Sequence, residues 1–201
     1  MTIEGSQPDA GPRELTDPRT MRALAHPIRL SLIELLSVDG PHTATEAGEV
    51  IGESPSSCSF HLRQLAKYGF VEEAGKGQGR RRPWRMTQVG TTFGSTHADA
   101  ETSVAADALA GMIQERYFER WRQWRRTVRA YPPEWQEVGG WSEMVWWVTL
   151  AEQRELDQQI AELVRRYRER LLDPSRRPAG AQPVEFVALA FPFRPPPVEQ
   201  D

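Results

Sequence analysis

Basic side chains are concentrated in one short stretch of an otherwise acidic chain. Between Ser54 and Gly90, seven basic residues stand against two acidic ones, so this stretch carries +5, whereas the whole chain carries −3. Clustered arginine and lysine side chains favour binding to a polyanion, because they neutralise phosphate charges. A solvated, charged loop is the alternative interpretation. The basic residues, each predicted to contact a polyanionic partner, are Arg63, Lys67, Lys76, Arg80, Arg81, Arg82 and Arg85.

The polar side chains at the start of this stretch have the spacing of one helix. Ser54 is predicted to cap it, Pro55 to occupy its first position, and Gly69 to end it. Cys58, Leu62 and Leu65 are predicted to point inward. Short hydroxyls bind phosphates or bases, and Gln64 can bind adenine through two hydrogen bonds. The predicted contact residues are Ser54, Ser56, Ser57, Ser59, His61, Arg63, Gln64 and Lys67.

Three shorter helices are predicted to precede this one. The first runs from Asp17 to Ala25 with Asp17 as its N-cap, and the second opens at Pro27 and stops at Gly40-Pro41. Thr43 or Thr45 caps the third, whose core candidates are Ala47, Val50 and Ile51 and which Gly52 ends. A gap of two to four residues then leads into the fourth helix. That spacing predicts a helix-turn-helix.

A β-hairpin with a basic tip is predicted after Gly69. Phe70–Ala74 has the pattern of a strand, residues 75–79 (GKGQG) that of a flexible turn, and Arg80–Thr87 that of a returning strand. Pro83 indicates a sheet edge. Three helices followed by such a hairpin predict a winged helix-turn-helix. In this fold, the last helix before the hairpin, which is the fourth helix predicted here, fits the DNA major groove.

These segments resemble a known family. MRALAHPIRLSLIELL, SPSSCSFHLRQLAKYGFVEE and GRRRPWR are similar to the winged-helix domain of ArsR-type bacterial transcriptional regulators, over about Leu15 to Gly90. The resemblance implies a homodimer that binds a pseudo-palindromic operator, often as a repressor. By motif position it implies base contacts at Ser56, Ser57, Ser59, Phe60, His61, Arg63 and Gln64, and wing contacts at Arg80, Arg81 and Arg82.

The metal-sensing chemistry of that family is not expected here. The predicted third helix contains TATEAGEV and has no cysteine, and the four histidines are scattered along the chain. Transition-metal sites need three or four protein ligands. We therefore predict neither a metal site nor a cofactor.

The C-terminal half is predicted to be helical. One helix runs from about Ala98 to Tyr131, and a second runs from Ser142 to Leu172. Their apolar residues recur every three or four positions, which suits packing of helix on helix. Val184 to Phe191 is predicted to form one strand, between a Pro/Arg/Gly linker and a Pro-rich tail.

Six tryptophans lie within residues 121–147 of this half. Aromatic residues are enriched in cores and in subunit interfaces, which is the favoured interpretation. The alternative is a pocket for a small aromatic or apolar effector. That pocket would be lined by Trp121, Trp124, Trp141, Trp146 and Trp147.

Catalysis is not expected. The GKGQG turn lacks the Lys-Ser/Thr that follows a phosphate-binding loop, and the sequence shows no recognisable pairing of a nucleophile with a base. The single cysteine, Cys58, is interpreted as a small core residue, and a redox switch on the fourth helix is the alternative. The N-terminus has neither the basic start nor the apolar stretch of a signal peptide, and no apolar run is long enough for a membrane helix.

The sequence thus predicts a mainly α fold with a small β-hairpin wing and long C-terminal helices. Its predicted function is a cytoplasmic, sequence-specific DNA-binding regulator that acts as a homodimer, with an operator in double-stranded DNA. The alternatives are a protein-interaction module that docks through its Trp-rich half and a sensor of a small aromatic ligand. The predicted segments are a disordered tail (1–14), the winged helix (15–92), a helical dimerisation region (97–172) and a Pro-rich segment (173–201).

Overall fold

A computed structural model describes residues 12–75, 82–88, 90–94, 97 and 99–194. The chain divides into two compact units. The N-terminal unit comprises Met1–Arg116 and Arg168–Ala179, and the C-terminal unit comprises Tyr117–Tyr167 and Gly180–Asp201.

Four helices form the centre of the N-terminal unit, and each has a side-chain N-cap. Asp17 accepts hydrogen bonds from the backbone N–H groups of Arg19 and Thr20, and Thr43 forms a reciprocal capping box with Glu46. His26 caps its helix through Nδ1, which accepts from the Ile28 N–H at 3.2 Å. The helices are α1 (Pro18–Leu24), α2 (Pro27–Val38), α3 (Ala44–Ile51) and α4 (Pro55–Lys67).

The turn between α3 and α4 is tight because the chain folds back onto α3. Gly52 ends α3 in the left-handed conformation, with φ of 76°. A Cβ atom at Gly48 would lie 2.6 Å from the carbonyl oxygen of Glu53. Only glycine allows this approach, so Gly48 sets the distance between α3 and the start of α4.

Two pairs of short strands complete this unit. Strand β2 (Val71–Glu73) pairs antiparallel with β3 (Trp84–Met86), which confirms the predicted hairpin in a shorter form. Strand β1 (Arg13–Glu14) pairs parallel with β4 (Thr91–Thr92). The predicted disordered tail (1–14) is therefore wrong for Arg13 and Glu14, which form a strand. A two-residue strand has no periodicity that the sequence could reveal.

Apolar side chains from α1, α2, α4 and the long helix α5 (Ala100–Thr127) form the core. Leu32, Leu62 and Leu65 are fully buried, and Leu109 of α5 is buried against them in the same cluster. Arg116 of α5 donates through Nε to Glu34 of α2 at 2.9 Å. Val50, a predicted core residue, is instead 60% exposed.

The C-terminal unit contains the remainder of α5, then α6 (Pro133–Val138) and α7 (Leu150–Arg165); α8 (Arg168–Leu172) follows in the N-terminal unit. The predicted helix start at Ser142 is wrong, because residues 139–149 are not helical. Thr149 caps α7 in a capping box with Glu152, and this box sets the start.

The strand predicted at Val184–Phe191 is also wrong, since these residues have no strand structure. A strand requires a backbone ladder with a neighbour, and no described residue forms one with them. A side-chain contact holds the segment instead: Arg120 Nε donates to Glu185 at 2.9 Å. Among the described residues, no helix is long and apolar enough to cross a membrane.

The two glycines Gly48 and Gly111 should respond oppositely to alanine. Gly48→Ala should lower the free energy of unfolding by about 1–3 kcal/mol, because the added Cβ meets backbone. Gly111→Ala should raise it by about 0.5–1 kcal/mol, because Gly111 lies inside α5 with open space around it. Urea denaturation followed by circular dichroism measures both values. Equal effects at the two positions would contradict the close approach at Gly48.

Candidate nucleic-acid interface

Helix α4 has one fully buried side and one exposed side. Cys58, Leu62 and Leu65 have no exposed area, as the sequence predicted for their inward orientation. Four exposed side chains follow the opposite side at helical spacing. They are Ser56, Phe60, Arg63 and Lys67, and we refer to them as the outer strip.

The serines at the start of α4 first serve the helix itself. Ser54 Oγ accepts from the Ser57 N–H at 3.1 Å and lies 3.0 Å from the Ser56 hydroxyl. Ser57 and Ser59 are half-buried on the two flanks of the helix. The N-terminus of α4 is thereby fixed, while Ser54 and Ser56 remain exposed to a partner.

His61 does not lie on the outward side, and that prediction is wrong. It is only 8% exposed, and its ring lies 4.5 Å from the ring of His26. Its Nδ1 atom is buried and has no hydrogen-bond partner among the described residues. The position lies only about 40° around the helix from Leu65 of the fully buried side, and His26 at the start of α2 covers it.

The two histidines share an environment that favours their neutral forms. Burial lowers the pKa of both, and the positive charge of Arg29 lowers both further. The proximity of His26 also lowers the pKa of His61, whereas Glu53 acts in the opposite direction on each. The pair is therefore a packing contact between α2 and α4 at neutral pH.

Gln64 lies on the same flank of α4 as His61 and is half-buried. Instead of belonging to the outer strip, it lines a cavity together with Arg19 and Arg22 of α1. Its predicted contact with adenine stays a prediction.

The described arginines of the hairpin are paired with its own glutamates. Arg82 lies 3.0 Å from Glu73, and Arg85 lies 2.7 Å from Glu72. All four side chains are about half exposed or more, and exposed ion pairs of this kind are worth about 0–1 kcal/mol. A phosphate group can replace the glutamates at little cost. The predicted contacts Lys76, Arg80 and Arg81 lie outside the described residues.

Three of the five tryptophans of the predicted effector pocket come together in the C-terminal unit. The ring of Trp121 stacks on Trp124 at 5.0 Å and lies 6.0 Å from Trp141. Trp146 and Trp147 are 47% and 94% exposed. Ring contacts thus join the first three, of which Trp141 is itself 66% exposed, and the ring contacts of the described residues do not include Trp146 or Trp147.

Metal-ligating side chains do not cluster in the described part of the chain, where no group of three or more His, Cys, Asp or Glu residues has suitable geometry.

Residues 24–74 match the family model of a helix-turn-helix domain. This range takes in α2, α3, α4 and strand β2. The chain contains a helix-turn-helix domain. With the hairpin that follows it, the N-terminal unit has a winged-helix fold.

Solved structures with some similarity to the chain include three bacterial proteins. Reduced HlyU from Vibrio cholerae is 18% identical, with a TM-score of 0.30, over 46% of this chain and 84% of that one. A MarR family protein from Mycobacterium tuberculosis, in complex with salicylic acid, is 17% identical, with a TM-score of 0.28, over 74% and 87%. ZitR from Lactococcus lactis is 11% identical, with a TM-score of 0.27, over 83% of each chain. No curated protein matches the sequence.

The His26–His61 pair should make stability depend on pH. Both folded-state pKa values are lowered, so the unfolded chain binds more protons as the pH falls below about 6.5. The free energy of unfolding should be constant above that pH and decrease below it. Urea denaturation at pH 7.5 and pH 5.5 measures the difference.

His61→Leu should reduce this pH dependence, because it removes the buried ring of the pair. His97→Gln is the matched control, since His97 contacts the Gly94 carbonyl rather than the pair. A dependence that is the same in wild type and His61→Leu would show that other groups produce it.

Proposed function

We propose that this protein is a DNA-binding transcriptional regulator that inserts α4 into the major groove. The observation that carries the proposal is the orientation of α4, whose buried side leaves the outer strip facing solvent. A helix with its side chains is about 10–12 Å wide, and the major groove of B-DNA is about 12 Å wide. The match of residues 24–74 to a helix-turn-helix domain supports it.

Each residue of the outer strip has a chemistry suited to one part of DNA. Arg63 can bind guanine through two hydrogen bonds, and Phe60, which is 52% exposed, can contact a thymine methyl group. Lys67 lies at the last position of α4 and suits a backbone phosphate. Ser56, at the start of the helix, can donate to a phosphate or to a base. The phosphate contacts would supply affinity, and the base contacts would supply sequence specificity.

The hairpin is proposed to bind the flanking backbone or minor groove. Arg82 and Arg85 would exchange Glu73 and Glu72 for phosphates, and Lys76, Arg80 and Arg81 of the tip would add further cationic contacts. Such contacts supply affinity that depends on salt and little on sequence.

We propose a homodimer that assembles through the C-terminal unit. Six apolar side chains between α6 and α7 are exposed in the single chain: Trp141, Met144, Val145, Trp146, Trp147 and Val148. Contiguous exposed apolar surface marks interaction sites. The ArsR-type resemblance supports a second copy as the partner, and with it a repressor that binds an operator of two half-sites in the cytoplasm.

Exposure of Trp147 also favours a second candidate, a module that docks another protein through the same surface. The Trp121, Trp124 and Trp141 cluster favours a third, a sensor that binds a small aromatic effector there. An effector regulates DNA binding only when it binds two states of the dimer with different affinity.

Arg63→Ala should weaken binding to a specific site by about 1–3 kcal/mol and relax its sequence preference, because a bidentate base contact is lost. Fluorescence anisotropy measures this with a labelled duplex from upstream of the protein's own gene, in the presence of competitor DNA. Arg154→Ala is the control, because Arg154 is an exposed arginine of α7 in the other unit. Absence of wild-type binding at low salt would overturn the proposed function.

Trp147→Ser should weaken the dimer by at least about 2 kcal/mol, the level typical of an interface tryptophan. Sedimentation velocity over a concentration series measures the dissociation constant. Val50→Ser removes another exposed apolar side chain, that of α3, and should leave the dissociation constant unchanged. A monomeric wild type at all concentrations would favour the docking module instead.

A further inference from the structure

An open surface depression with a volume of about 300 Å³, which we refer to as the cavity, lies between α1, α2 and the C-terminal end of α4. Its lining contains three guanidinium groups, one amide and one phenol, and no carboxylate. Every one of these polar groups can donate a hydrogen bond. The lining residues are Arg19, Arg22, Ala23, Arg29, Gln64 and Tyr68.

The positive charge of this cavity is only partly balanced by the described residues. Arg22 forms an ion pair with Glu101 at 2.6 Å. The carboxylate of Asp17, two residues before Arg19, already accepts from two backbone N–H groups and from the Thr20 hydroxyl. Arg19 and Arg29 have no ion pair at salt-bridge distance among the described side chains. The cavity therefore keeps an excess of positive charge.

Arg29 is the arginine of the cavity whose hydrogen bonding is incomplete among the described residues. Its Nη2 donates to the Arg22 carbonyl at 3.2 Å, but its Nε is buried without a hydrogen-bond partner among the described residues. Burial lowers the pKa of Arg29, which means that the surroundings disfavour its charge. An oxyanion in the cavity would supply the missing acceptor and balance that charge. Arginine binds phosphate oxygens in this way, often through two parallel hydrogen bonds.

The cavity also lies beside the surface proposed to enter the major groove. Gln64 lines it, and Gln64 directly follows Arg63 of the outer strip. Phosphates flank the groove at every base pair, so a helix that enters the groove brings its flank close to them. The location thus favours DNA over a free anion as the source of the oxyanion.

We infer that the cavity between α1, α2 and α4 binds a phosphate group, and that its ligand is a backbone phosphate of the DNA bound by α4. This inference rests on the proposed function. It assigns α1 and α2 a part in binding that the outer strip and the hairpin do not provide. Arg19 and Arg29 hold the phosphate, and Gln64 and Tyr68 donate from the side of α4.

The first experiment measures DNA affinity by fluorescence anisotropy across a salt series. Arg19→Gln/Arg29→Gln should weaken binding uniformly across sequences and reduce the slope of log K against log salt by about 0.9. Arg129→Gln/Arg154→Gln removes the same charge from exposed positions of the C-terminal unit and should leave the slope unchanged. The single variant Arg19→Gln tests the same change in slope at an exposed position, where the substitution leaves the buried core unchanged.

The second experiment separates DNA phosphate from free phosphate. It compares the thermal unfolding midpoint in sodium phosphate and in sodium chloride at equal ionic strength. A reduced slope in the double variant supports the inference. An unchanged slope, with a midpoint that phosphate raises in wild type and not in the variant, assigns the cavity to a free anion and overturns its assignment to DNA.

An unchanged slope with no effect of phosphate overturns the site entirely. If the wild type binds no DNA, the proposed function fails, and the midpoint comparison still decides whether the cavity binds phosphate. In that case, a midpoint that phosphate raises in wild type but not in Arg19→Gln would support the phosphate site. A wild-type midpoint that phosphate does not raise would refute it.

Discussion

The rotation of α4 about its own axis is the constraint on which the interface depends. Cys58, Leu62 and Leu65 are fully buried and lie within about 60° of one another around the helix. Because a helix is rigid, fixing these three side chains also fixes the direction of every other one. The outer strip faces solvent for this reason, and His61 and Gln64 are directed towards α1 and α2. The direction of the proposed contact residues is therefore set in the core, by side chains that are fully buried.

The position of α4 along its axis is set by its two ends. At the start, Gly48 lets the turn approach α3, and Ser54 caps the first turn of the helix. At the end, Phe70 and Val71 are buried directly after Gly69, so the hairpin begins at a fixed point. Arg13 adds a further restraint, since its guanidinium donates to the Tyr68 carbonyl at 2.7 Å and covers the ring of Phe70 at 4.8 Å. These restraints fix α4 and the start of the hairpin relative to each other, so the charged side chains of both are held in one arrangement.

Sequence patterns predicted the N-terminal unit well because its signals are local. The sequence predicts Asp17 and Ser54 as caps and offers Thr43 or Thr45 for α3, of which Thr43 is the cap in the structure, and the apolar spacing of α2 and α4 predicts their buried sides. The errors have physical causes that are not local. The polar character of His61 predicts an outward side chain, yet the ring of His26, thirty-five positions earlier, covers it. The cavity could not be predicted, because Arg19, Arg29 and Gln64 come from three helices.

The C-terminal unit was predicted less well, and for a different reason. Apolar spacing suggested a helix from Ser142, but the capping box of Thr149 and Glu152 outweighs that spacing and starts α7 later. Val184 to Phe191 has the composition of a strand and no ladder to join. Both segments expose apolar side chains in the single chain, so their final surroundings depend on what covers them. Periodicity describes a face of an element and does not identify the partner of that face.

The burial of Cys58 gives the protein an internal reporter. It is the only cysteine in the chain, it has no exposed area, and burial raises the pKa of its thiol. Thiol reagents react with the thiolate, so the folded protein should be chemically silent towards them. Modification requires the core around α4 to open, which makes the labelling rate a measure of how often the winged helix opens. The labelling rate of this one native cysteine therefore reports the rate of core opening, and no engineered probe is needed.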